Sequence, residues 1–72
     1  MTKPTRIVNR IRHLRTASGD MTQAALGESI GVTRQTVIAI EGRYAPSLEV
    51  VFKIAGVFQV PLDEVFQFPS EV

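Results

Sequence analysis

Few side chains in this 72-residue chain carry reactive chemistry. Cysteine is absent, which removes disulfides, thiol nucleophiles and thiolate metal sites. His13 is the single histidine and has no partner ligand or acid at a catalytic spacing, and no phosphate-cradling glycine loop is present. Asp63-Glu64 read as first-turn helix charges rather than as a general acid/base pair. The expectation is a protein that is not an enzyme and holds no metal or cofactor. The informative cluster is Arg34-Gln35-Thr36, directly after Thr33, with Ile38 and Ala39 following. A guanidinium matches the paired acceptors of guanine and a carboxamide matches adenine N6 and N7, each pairing discriminating by about 1–3 kcal/mol. Thr36, Ile38 and Ala39 suit thymine methyls or sugars. Taken alone, Arg34 and Gln35 read more readily as ordinary solvated residues of a first turn.

The surrounding elements decide between these readings. Five helical segments can be read. The first spans about Thr5 to Ala17, with Ile7, Ile11 and Leu14 at helical spacing, Val8 beside them and arginines on the other face. Ser18-Gly19-Asp20 stops it. Thr22 caps a second helix that runs to about Ile30, where Gly31 supplies a left-handed end. Thr33 caps a third through Glu41, closed by Gly42. Leu26, Ile30, Val32, Val37 and Ile40 then face inward, so the two short helices pack as a unit. That arrangement leaves Arg34, Gln35, Ile38 and Ala39 outside. Ser47 caps a fourth helix, with Glu49 in its first turn and Leu48, Val51, Ile54, Ala55 and Phe58 as its apolar face. Gly56, inside this helix, implies close packing or slack. A last helix spans about Leu62 to Phe66, and residues 67–72 form a short tail.

Length allows one domain, residues 1–72, with a helical core over about 5–66. Net charge is only +1, but its distribution is uneven. Up to Arg43, seven basic residues stand against three acids; from Tyr44 on, Lys53 stands against four acids. A basic N-terminal part and an acidic C-terminal part suit a domain that meets phosphates on one side. The apolar run Ile54 to Phe58 is too short to span a bilayer, and Lys3, Arg6, Arg10 and Arg12 occupy the place of a signal peptide's apolar stretch. A cytoplasmic protein without membrane contact is expected.

Residues Thr22 to Phe66 resemble the Cro and phage-repressor type of helix-turn-helix family (XRE type), in its short bacterial form. The resemblance is carried by Thr22-Gln23-Ala24-Ala25-Leu26, by Ile30-Gly31-Val32-Thr33-Arg34-Gln35-Thr36-Val37 and by Ile40-Glu41-Gly42. It continues through Tyr44 to Glu49, Lys53-Ile54-Ala55 and Val60 to Phe66, with Leu14-Arg15 upstream. It implies an all-α, compact five-helix, lambda-repressor-like fold that binds double-stranded DNA, with the third helix reading bases through Arg34, Gln35, Thr36, Ile38 and Ala39. Backbone contacts fall to Thr22, Gln23, Thr33 and Arg43, with Gln23 also bracing the third helix; Tyr44 fits either a phosphate donor or the core. The family often pairs an acid at the position of Glu41 with an arginine on the first helix, here Arg15. Three departures stand out: Asp20 is an extra residue in the first turn, Glu41-Gly42-Arg43 is one residue short, and Gly27 and Gly56 replace better helix formers.

Family members usually bind as two-fold dimers, so the resemblance implies a homodimer on a palindromic operator and a transcriptional regulator, most simply a repressor. Val65, Phe66 and Phe68, with Phe52 and Val60 in support, form the candidate dimer surface. The rival reading is a protein-interaction module, for instance an antitoxin, suggested by the acidic and aromatic C-terminal part. Single-strand or RNA binding is disfavoured, because Tyr44 and four phenylalanines, mostly at core spacing, make no basic stacking platform.

Overall fold

Three hydroxyl side chains set where helices begin in the computed structural model, which describes residues 5–69. Thr22 Oγ1 accepts from Ala25 N at 2.9 Å, Thr33 Oγ1 from Thr36 N at 3.1 Å and Ser47 Oγ from Val50 N at 3.3 Å. Each satisfies an amide that the helix itself cannot, worth about 1 kcal/mol. They open α2 (Gln23–Ile30), α3 (Arg34–Glu41) and α4 (Leu48–Phe58). Before these lies α1 (Ile11–Ala17), and after them α5 (Leu62–Val65). Gly31 ends α2 with φ 77°, as its type requires. At the end of α3 the left-handed residue is not Gly42 (φ −85°) but Arg43, at φ 73°.

The first helix begins later than the apolar spacing predicts. Residues Val8–Asn9 form a short strand, β1, pairing antiparallel with β2 (Phe66–Gln67), Val8 opposite Gln67 and Asn9 opposite Phe66. Asn9 explains the change. Its Oδ1 accepts from Ile11 N at 3.2 Å, an alternative to helical pairing, while its Nδ2 donates to the Ile40 carbonyl at 2.9 Å. Arg10 N donates to the Val65 carbonyl at 2.9 Å, stitching the chain's two ends across the core. The tail prediction changes accordingly, since Gln67 belongs to the ladder; residues 70–72, like Lys3, lie outside the described residues.

Among the described residues the core is Ile11, Leu26, Ile30, Val37, Ile40, Ile54, Ala55 and Val65. Leu14, Val32, Val50 and Phe58 pack around it half-buried. Leu48, assigned to the apolar face of α4, is instead 70% exposed. With Ile54 at the centre of the buried side, Val50 lies one turn below it and takes that place, while Leu48 falls on the opposite arc. The close pairing of α2 and α3 depends on Gly27. A Cβ there would stand 2.7 Å from the Val32 carbonyl oxygen, and Val32 N donates back to the Gly27 carbonyl at 2.8 Å. Gly56 is the opposite case, since nothing lies within 4 Å of its would-be Cβ. Among the described residues no helix is long and apolar enough to cross a membrane.

Candidate nucleic-acid interface

Val37 and Ile40 fix α3 to the core, at 1% and 3% exposure, and thereby turn its other face outward. Arg34, Gln35 and Ile38 are exposed on that face, while Thr36 and Ala39 are half-buried. Thr36 is additionally held by a 3.0 Å hydrogen bond between its hydroxyl and that of Thr33. The two longest polar side chains thus stand at the N-terminal end, where a helix laid in a major groove meets base edges.

Two hollows flank α3. One, of about 280 Å³, is bounded by Gln35, Thr36 and Ala39 on one wall and by Ala45, Pro46 and Ser47 on the other. The second, of about 530 Å³, is bounded by Arg12, Arg34, Thr22 and Gln23, with Arg15 and Glu41 at its edge. Two exposed guanidiniums and the N-terminal turn of α2 converge on this second hollow, a combination that favours an anion such as a phosphate. Arg12 was not among the sequence-predicted site residues. Its only local signal is membership of the polar face of the first helix, and its neighbours come from α2 and α3.

A carboxylate beside such a basin is a liability, and the structure neutralises it. Arg15 Nε donates to Glu41 Oε2 at 2.7 Å and its Nη2 to Oε1 at 3.2 Å, a two-point pairing. Arg15 Nη1 donates to the Met21 carbonyl at 2.7 Å, and Gln23 Nε2 donates to Glu41 Oε1 at 3.2 Å. The Arg15 and Glu41 side chains are 13% and 12% exposed. One cluster therefore ties α1, the start of α2 and the end of α3 together. Gln23 braces through one amide hydrogen and keeps a second.

The remaining candidates are scattered. Arg43 is exposed past the end of α3, and Tyr44 is 41% exposed, which removes its core alternative. Neither borders the two hollows. Val65 has no exposed area, because its side chain is part of the core; it cannot offer the dimer surface expected of it. Phe66 is half-buried in the ladder, and Phe68 is 63% exposed with the Arg6 guanidinium carbon 5.7 Å from its ring centroid.

A helix-turn-helix family model matches residues 11–65, from the start of α1 to the end of α5. The chain is 42% identical over 64 residues to an uncharacterized HTH-type transcriptional regulator of Methanocaldococcus jannaschii, covering 88% of this chain and 96% of that protein. YgzD of Bacillus subtilis, named in the same words, is 45% identical over 64 residues with the same shares covered. A regulator of Archaeoglobus fulgidus is 43% identical over 63 residues, 86% of this chain and 89% of its own. The short form thus occurs in archaea as well as in a bacterium. On the family match, these relatives and the paired α2–α3 geometry, the chain belongs to the XRE-type helix-turn-helix family of transcriptional regulators.

Proposed function

We propose that this regulator binds double-stranded DNA by laying α3 in the major groove, as a homodimer on a palindromic operator, and represses transcription by occluding a promoter. The observation that carries the reading is the disposition of α3. Its apolar side is anchored by Val37 and Ile40, and its outer N-terminal end presents Arg34 and Gln35 beside a hollow bordered by a second arginine, Arg12. Arg34, Gln35, Thr36, Ile38 and Ala39 serve base edges and methyls; Thr22, Gln23, Thr33 and Arg12 serve phosphates, with Arg43 and Tyr44 further along the strand. Half-sites about 34 Å apart would place both copies on one face of the duplex.

Selection from a random duplex library, with the purified full chain at near-physiological salt, tests this. A two-fold symmetric consensus that represses a reporter promoter when placed across it is the expected outcome. Loss of enrichment with a folded protein, or an asymmetric single site, would contradict the proposal.

A further inference from the structure

The face of α4 turned away from the core is unusual for so small a molecule. Leu48 is 70% exposed and Phe52 57%, and Gly56 continues the same line one turn further on. Beside this line Lys53 Nζ lies 3.1 Å from Glu49 Oε2. Each feature is poorly explained within one copy. Two large apolar side chains are left in water, and a glycine weakens the middle of the one long helix without any neighbour approaching it.

We propose that this face is the contact between two copies of the chain, with their α4 helices antiparallel and crossing at Phe52. This rests on the two-fold reading above and names its surface. The reason for choosing a second copy is self-complementarity. A two-fold axis through Phe52 brings Leu48 of one copy over Gly56 of the other, and the open space at Gly56 becomes the seat for that leucine. The same operation sets Glu49 opposite Lys53, twice, because the same flanks of two antiparallel helices meet. An apolar groove of about 330 Å³ between Val51, Pro46, Leu62 and Phe66 extends the other flank. The face also adjoins the recognition side, since Ser47, at the start of α4, lines a hollow with Gln35 and Ala39. An 11-residue helix is only about 16 Å long, so the contact is small. It is weak in free solution and is reinforced when both copies sit on one operator.

Sedimentation equilibrium of the full chain from about 10 µM to about 1 mM, paired with thermal unfolding, tests the surface. The wild type is expected to show a monomer–dimer equilibrium, weakened at least tenfold by Phe52→Gln and by Gly56→Gln. Gly56→Gln should unfold no earlier than wild type, so that lost association is separated from lost folding. Glu49→Lys should weaken association, and Glu49→Lys with Lys53→Glu should restore it. A wild-type dimer that none of these substitutions weakens overturns this surface alone and leaves the two-fold reading standing on another contact, such as Phe68. A wild type that stays monomeric throughout, and also binds its selected duplex as one copy, overturns both.

Discussion

Replacing Glu41 by glutamine removes one charge while keeping the shape of the side chain that joins three helices. Glutamine can still accept from Arg15 Nε, but it loses the two-point pairing and leaves a guanidinium that is 13% exposed with only the Met21 carbonyl as a strong acceptor. Breaking a fully buried pair from one side costs about 3–5 kcal/mol. The residual exposure and the surviving hydrogen bond reduce this to about 2–3 kcal/mol, a large share of the ~4–10 kcal/mol available to a domain of this size. At roughly 4–8 °C per kcal/mol, the unfolding midpoint should fall by about 10–20 °C. Replacing both partners by apolar groups, Arg15→Met with Glu41→Leu, should recover part of that loss, because no unpaired charge remains. The assay is thermal and urea unfolding of Glu41→Gln and, as a double-mutant cycle, of Arg15→Met, Glu41→Leu and the two combined. A Glu41→Gln protein that melts within about 2 °C of wild type, or a coupling under about 0.5 kcal/mol, would refute the claim that this cluster holds α1 to α3.

Gly27→Ala should destabilise by about 1–3 kcal/mol in urea unfolding, since its Cβ would meet the backbone oxygen of Val32, which cannot swing aside. Gly56→Ala should do the reverse and stabilise the dilute chain by up to about 1 kcal/mol; a loss of stability would mean that the space seen there is filled. Arg12→Ala should weaken binding about equally on selected and unrelated duplexes and lower the salt slope by about two, one for each copy of the dimer, as measured by titration at several salt concentrations. A sequence-dependent loss would place Arg12 at a base instead.

Much of this fold is legible because its signals are local. Thr22, Thr33 and Ser47 each cap the helix that follows them, and Gly31 supplies the left-handed end between α2 and α3. The Arg15–Glu41 pairing was legible only through family resemblance, because its partners are 26 residues apart. What escaped depends on distant groups. Ile7, Ile11 and Leu14 do sit at helical spacing, yet Asn9 finds the Ile40 carbonyl and Arg10 the Val65 carbonyl, and the chain before Ile11 extends into a ladder. On α4 the apolar residues nearly encircle the helix, so periodicity could not say that Val50 packs and Leu48 does not. Val65 illustrates the same limit: an apolar residue near the C-terminal end suits an interface or a core, and the position of α5 decides for the core. Arg12 meets Arg34 only in the folded chain, where both border one hollow with the start of α2.

Sequence-specific binding by this protein depends on α3 reading bases. The decisive measurement is the affinity of wild type and Arg34→Ala for the selected duplex and for every single-base-pair variant of it, at one fixed salt concentration. Arg34→Ala is expected to keep its unfolding midpoint, to lose about 1–3 kcal/mol per half-site on the selected duplex, and to stop discriminating at one symmetry-related pair of positions while discriminating normally elsewhere. Uniform weakening across all variants, or no weakening at all, would contradict it.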